Sequence, residues 1–244
     1  MIQFSIVTVT KDAEKDLRRT CKSLERIESH KFEWIVIDGN SKDGTLEYLR
    51  NNKLVSKYVS EKDEGIADAW NKGIALASGS HVLVLNAGDE YYPDIFAVLS
   101  PLLDAEKIVL ASAAIMNSKG RQLGVFKSQP NRLRYGMHVA HNMCIIPKIV
   151  YDQVGKYKNL KYSMDYEWFY RYKKMFGIGG FIKCKSILGN MYNDGVSSKK
   201  WLESFRQNRY IAVSNGECLF FAWIVFGQYV FKHYLIMKLR SMQL

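Results

Sequence analysis

Residues 60–91 read SEKDEGIADAWNKGIALASGSHVLVLNAGDEY. An acidic, glycine-containing loop, Ser60 to Gly65, opens onto Ile66–Ala77, a helical stretch stopped by Ser78-Gly79. His81–Leu85 follows as the most strand-like run of the chain and ends in the polar turn NAGDE, residues 86–90. The same alternation continues upstream. Phe4–Val9 (FSIVTV) is an apolar, β-branched run that predicts a buried strand, and the next segment, 12–28, places Leu17, Cys21, Leu24 and Ile27 at helical spacing. Glu33–Ile37 predicts a second strand, closed by the turn cluster DGNSKDGT at 38–45. A short helix at Thr45–Asn51 and a strand at Val55–Val59 complete the pattern. Strands alternating with helices in this way predict parallel βαβ units.

In such sheets ligands bind beyond the carboxyl ends of the strands, where the loops converge. Those loops are polar and acidic here, and they place Asp12, Asp38, Asp63 and Asp89 on one rim of one sheet. Asp89 follows the apolar strand and sits between Gly88 and Glu90. A carboxylate at that position suits a hard divalent cation, which takes one or two carboxylates plus substrate phosphates; a turn that needs Asn, Gly and Asp reads the same way. Asp38 is placed either to accept hydrogen bonds from base or ribose hydroxyls or to close an Asx-turn. No GxGxxG or Walker motif accompanies these loops, which disfavours NAD and ATP. Further along, Met164–Met175 (MDYEWFYRYKKM) predicts a helix with an acidic start and a basic end. Asp165 at its start is either a helix cap or a general base, with Glu167 two residues on. His138 and His141 precede a strand-like piece at Met143–Ile146, and another such piece lies at Lys107–Ala111.

The chain has 244 residues with 35 basic and 24 acidic side chains, a net charge of +11 that predicts an anionic partner. The basic residues are dispersed and no RRM or helix-turn-helix pattern accompanies them, so nucleic acid is not the expected partner. Four scattered cysteines, Cys21, Cys144, Cys184 and Cys218, lack zinc-ligand spacing and suit a reducing compartment. Met1–Val9 runs straight into a strand without a signal peptide, which predicts a cytoplasmic location. The tail changes character. Leu219–Val230 (LFFAWIVFGQYV) is apolar but shorter than the ~20 residues a spanning helix needs. Its Trp and Phe residues, bracketed by Arg206, Arg209, Lys232, Lys238 and Arg240, suit a helix lying in a bilayer interface; a helix buried in a homo-oligomer is the alternative.

Taken in order, these segments resemble the family-2 inverting glycosyltransferases, whose fold is the Rossmann-like GT-A α/β domain. FSIVTVTKDAEKDLRRTCKSL is similar to their first strand and helix, WIVIDGNSKDGT to their second strand and loop, and residues 60–91 to the block from third loop to metal loop. HNMCIIPKIVYDQVGKY and SMDYEWFYR resemble the acceptor-side segment and its Asp-containing helix, and NMYNDGVSS the closing active-site loop. The resemblance covers residues 1–200 and implies a mainly parallel central sheet flanked by helices. It implies a nucleotide-sugar-binding half at 1–100 and an acceptor-binding half at 101–200, with 201–244 left as an apolar, membrane-associating or oligomerising helical tail.

On the donor side the resemblance implies Thr8, Thr10, Asp12 and Asp38 at the base and ribose, and Asp63, Gly65, Asp68, Asn71, Lys72 and Asn86 around the rest of the donor. It implies Asp89 as ligand of a Mn²⁺ or Mg²⁺ ion, Asp165 as catalytic base, and His141 with Glu167 on the acceptor side. The partners it implies are a nucleotide-sugar and a glycan or polyprenyl-linked acceptor, in capsule, O-antigen or exopolysaccharide synthesis on the inner face of the cell membrane. Two departures stand out. The usual Asp-x-Asp-Asp loop is Asn86-Ala87-Gly88-Asp89 here, which leaves one acid, and the Arg often found before the third-loop Asn is Trp70, a change for which Lys72 partly compensates. A sugar nucleotidyltransferase on the same fold would carry a glycine-rich loop where this chain has TKDAEKDL, and a non-catalytic basic surface protein would use the charge alone.

Overall fold

A computed structural model describes residues 3–193 and 200–241. Strand β1 (Phe4–Thr10), helix α1 (Glu14–Leu24), β2 (Phe32–Asp38), α2 (Thr45–Asn51), β3 (Val55–Ser60), α3 (Ile66–Leu76) and β4 (His81–Val84) follow in the expected alternation. β1 pairs in parallel with β2 and β4, and β2 with β3. The register sets Thr10 opposite Asp38 and Asp38 opposite Ser60, so the loops that leave these strands open on one rim.

β1 and β2 alternate between two buried layers, as strands covered on both faces must. Val7, Ile35 and Ile37 pack with Trp70 and Ile74 of α3 on one side. Phe4, Ile6, Trp34 and Val36 pack with Leu17, Cys21 and Leu24 of α1 on the other. Gly73 lets α3 lie hard against β1, because a Cβ there would overlap the Val7 side chain.

The second half departs from the parallel plan. It comprises β5 (Glu90–Tyr91), α4 (Ile95–Leu99), β6 (Ile108–Met116), β7 (Gln122–Phe126), β8 (Cys144–Pro147), α5 (Lys148–Val154), α6 (Met164–Phe176) and β9 (Phe181–Tyr192). The full order is β3-β2-β1-β4-β8-β6-β9-β5, with β7 on β6. β8 runs antiparallel to both β4 and β6, while β6 and β9 are parallel. The sheet is therefore parallel through its first four strands and mixed beyond them. β8 is the reversed strand at this junction, since β4 and β6 on either side of it both run antiparallel to it.

Two helices close the described chain, α7 (Trp201–Ser214) and α8 (Leu219–Ser241), joined through Gly216 at φ 99°. They pack on each other and on the domain. Ile211 joins the core beneath α6, and Ala222 is buried. No helix among the described residues is long and apolar enough to cross a membrane. Residues 194–199 of the expected closing loop, and the side chains of Lys238 and Arg240, lie outside the described residues.

Candidate active site

The rim is built from the ends of β1, β2 and β3. Asp12 adopts a left-handed backbone (φ 47°), donates its N–H to Ser41 Oγ at 2.7 Å, and accepts Lys42 N–H at Oδ1 at 2.6 Å. Ser41 thus fastens the loop after β1 to the loop after β2. Asp38 is fully buried beneath it and accepts from Ser41 N–H, from the Ser41 hydroxyl and from Ser60 Oγ at 2.6 Å. The Asp38 carboxylate thus closes its turn onto Ser41, three residues on, and also ties β2 to the end of β3. Thr10 ends β1 opposite Asp38, with a buried hydroxyl that has no hydrogen-bond partner among the described residues. Thr8 departs from its donor-side expectation. Its side chain is fully buried and its hydroxyl accepts Trp34 Nε1–H at 2.9 Å, so that hydroxyl belongs to the core and not to the rim.

The third loop gathers its acids around one cation. Lys72 Nζ stands 2.7 Å from Glu61, 2.8 Å from Asp63 and 2.9 Å from Asp68. These carboxylates, Asp63 first, raise the Lys72 ammonium above its ordinary value, and Lys72 in turn lowers Asp68. Gly65, at φ 141°, starts α3, and Asp68 Oδ2 accepts Glu64 N–H at 3.2 Å at that helix end. Asn71 faces elsewhere. Its amide brackets the backbone of Tyr157, donating to the carbonyl and accepting from the N–H, both at 2.9 Å. That side chain clasps the segment before α6, which corrects its expected place against the donor.

Asp89 is nearly buried after β4. Its turn is held to α1 by Thr20, whose hydroxyl accepts Gly88 N–H at 2.9 Å and donates to the Asp89 carbonyl at 2.9 Å. The Asn86 carbonyl accepts Asp89 N–H at 3.0 Å, and the Asn86 side chain remains partly exposed. The Asp89 carboxylate accepts Asn142 Nδ2–H at one oxygen and Tyr192 N–H at the other, each at 3.0 Å. Sequence reading missed Asn142 and Tyr192. Nothing marks an Asn beside a His, or the last residue of a strand, as partners of a carboxylate 53 and 103 positions away.

The turn His141–Met143, leading into Cys144, is the hub of the site. While Asn142 reaches Asp89, His141 lies edge-on to Trp70 (4.7 Å) and to Phe169 of α6 (5.5 Å), with Nε2 2.8 Å from Tyr157 Oη. Burial pulls the His141 imidazole down to about 3, so it is neutral at pH 7. Asp165 sits on the other side, in the first turn of α6. Ser163 holds the cap position without a side-chain cap bond, so Asp165 is not the capping residue, and its Oδ1 accepts Tyr166 N–H at 2.8 Å. Burial raises the Asp165 carboxyl above its ordinary value, and its charge adds to burial in raising the Cys144 thiol. Glu167 departs from a third expectation. It is buried with both oxygens 3.0 Å from Arg171 Nε and one 2.7 Å from Lys158 Nζ, so it ties α6 to the preceding segment and is not open to an acceptor.

Among the described residues no group of three or more His, Cys, Asp or Glu side chains is placed to hold a metal ion. Asp89 is the acid on hand in its loop, and a cation there would draw its remaining ligands from substrate and water, a mode that suits Mg²⁺.

Residues 5–178, from β1 to just past α6, match the pattern of the family described as Glycosyl transferase family 2. The chain belongs to that family. A relative from Mycobacterium bovis named as a PGL/p-HBAD biosynthesis glycosyltransferase is 26% identical over 173 residues, which cover 68% of this chain and 66% of the relative. This chain thus spans just under two thirds of the mycobacterial relatives it matches. TuaG of Bacillus subtilis, whose name assigns it provisionally to teichuronic acid biosynthesis, is 24% identical over 81% of this chain and 82% of its own length. Among solved structures, S. aureus TarS 1-349 in complex with UDP superposes with a TM-score of 0.66 at 15% identity, covering 96% of this chain and 72% of that one. The mannosyltransferase PcManGT of Pyrobaculum calidifontis, in complex with GDP-Man and Mn²⁺, gives 0.66 at 15% identity over 92% and 69%. These likenesses establish the α/β fold of GT-A type. The family 2 match ends before α7 and α8 begin, so the two closing helices lie outside it.

Proposed function

We propose that this family 2 member transfers a sugar from a nucleoside-diphospho-sugar to a hydroxyl of a glycan or lipid-linked acceptor, with inversion at the anomeric carbon. The observation that carries the reading is the hub at 141–144: one side of it holds Asp89 through Asn142, and the other abuts α6 and Asp165. The donor half is residues 1–100. Asp12, Asp38 and Thr10, whose buried hydroxyl has no hydrogen-bond partner among the described residues, border the base and ribose, while Asp63, Gly65, Asp68 and Lys72 border the third-loop side. Asp89, beside Asn86, would hold a Mn²⁺ or Mg²⁺ ion, which would supply charge to offset that of the leaving diphosphate. Residues 101–200 supply the acceptor half. Asp165, whose raised carboxyl is a stronger base than an exposed one, takes the proton of the acceptor hydroxyl. That oxygen bonds to the anomeric carbon as the bond to diphosphate breaks on the opposite face. Neutral His141 holds Tyr157 and the hub in place.

The tail supports a peripheral position on an anionic membrane at the cytoplasmic face. Phe220, Trp223, Ile224, Phe231 and Tyr234 are exposed along α8, with exposed Lys232 among them.

The test of the chemistry is Asp165→Asn. A general base contributes about 10²–10⁴-fold to rate, so transfer falls by that order while calorimetric affinity for the nucleoside diphosphate is retained. Wild-type kcat rises with pH along a limb above the ordinary Asp value of about 3.9, because the base must be ionised and its carboxyl is raised. Full transfer by the Asn variant overturns the assignment.

A further inference from the structure

We infer that Gln207, on a helix outside the family match, is a positioning residue for Asp165. The inference rests on the reading of Asp165 as the base, and it begins with the turn that delivers Asp165. Ser163, two residues upstream, has φ 54° and ψ 24°, a left-handed conformation that a side-chain-bearing residue keeps when its surroundings hold it. The Ser163 carbonyl accepts Glu167 N–H at 3.1 Å, so this residue sets the direction of the first turn of α6 and with it the Asp165 side chain.

Two contacts from α7 hold the turn. Tyr162 N–H donates to Gln207 Oε1 at 2.7 Å, and the Ser163 hydroxyl lies 3.4 Å from the Ser204 carbonyl. Tyr166, the residue after Asp165, lines the same cleft as Phe205, Asn208 and Ala212 of α7 and Tyr229 of α8. Among the described residues the Asp165 carboxylate makes only a local bond, to the N–H of its own neighbour Tyr166. Its aim is therefore set by the backbone beneath it, and α7 is the element that grips that backbone. Gln207 supplies what the turn lacks, an acceptor for the Tyr162 N–H at the last residue before the left-handed one. The closing helices are thus part of the catalytic half, whatever else their outer face does.

The experiment pairs Gln207→Met, of similar length but without an acceptor oxygen, with Gln207→Glu, which keeps one. Small misplacements of a reacting group cost up to about 10²-fold in rate. The expected result is kcat lowered roughly 10- to 100-fold in the Met variant, donor KM and nucleoside diphosphate affinity unchanged, and kcat recovered in the Glu variant. Undiminished kcat in Gln207→Met overturns the inference, as does a loss shared by both variants. Amide hydrogen exchange of Tyr162 in the wild-type protein gives a reading that needs no variant to fold: protection is expected, and rapid exchange overturns the inference. Asp165→Asn in the same assay separates the two claims. Its retained activity would remove the base reading itself, whereas its inactivity beside a fully active Gln207→Met would remove only the positioning role.

Discussion

Glu33 shows how one side chain can be readable as a strand residue and unreadable as a charge. It lies almost fully buried in β2, where an unpaired carboxylate would be expelled. Burial pushes its carboxyl up. Donation from Ser5 Oγ (2.6 Å), from Ser78 N–H (2.5 Å) and Oγ (2.7 Å), and from Lys57 at 3.0 Å outweighs that push and holds it at about 2. The folded value lies below the ordinary 4.5, so the folded state binds this proton less readily than the unfolded chain does. Its stabilisation is complete above the ordinary value and drains away as pH falls from about 4.5 towards about 2. Thermal melts across that window should show Glu33→Gln less stable than wild type at pH 7, with the gap narrowing in acid. A constant gap would mean the charge contributes nothing. At the same scale the positions of Asp38 at the end of β2 and Asp89 just after β4 are legible in the sequence, since they follow from local pattern. Thr8 and Glu167 went the other way: Trp34 reaches Thr8 from the neighbouring strand 26 positions on, and Glu167 is taken up by Arg171 one turn along α6 and by Lys158 in the segment before it.

Among elements, α3 was the most readable, and its register explains why one of its residues belongs to a different job from the one expected. A helix presents several faces. Trp70 and Ile74 go to the core, Asp68 and Lys72 to the third loop, and Asn71 to the segment before α6. Asn71→Ala removes two hydrogen bonds and leaves the Tyr157 backbone unpaired. Groups of that kind cost about 1–3 kcal/mol when left unsatisfied. The melting temperature should fall accordingly while nucleoside diphosphate affinity stays at the wild-type value. A weakened donor with unchanged stability would restore Asn71 to the donor pocket. The element that sequence reading could not supply is the turn at 141–143, too short to carry a hydrophobic period, though both halves of the candidate site depend on it.

Across the whole molecule, α8 has two apolar sides. Ala222, Val225, Phe226 and Tyr229 line the junction with the domain, and Tyr229 Oη stands 2.7 Å from His138 Nε2. Phe220 and Phe231 face outward, 74% and 63% exposed. Burying a phenylalanine side chain is worth about 1.5–3 kcal/mol. The double substitution Phe220→Glu and Phe231→Glu should therefore weaken co-sedimentation with phosphatidylglycerol vesicles by at least about tenfold, leaving transfer to a water-soluble acceptor intact. Unchanged vesicle binding together with a dimer converted to monomer in analytical ultracentrifugation would assign the face to a second copy of the chain instead.

What the sequence by itself determined is the part written in local periods: strands β1 to β4, the helices between them, and the loops that carry Asp12, Asp38, Asp63 and Asp89 onto one rim. Periodicity and turn chemistry act over a few residues, and parallel βαβ connectivity then leaves little choice of where the loops converge. The tertiary structure alone decided the antiparallel entry of β8, the hold of Asn142 on Asp89, and the grip of α7 on the turn before Asp165. Each of these joins residues 45 or more positions apart, through packing and hydrogen bonds that no local pattern encodes.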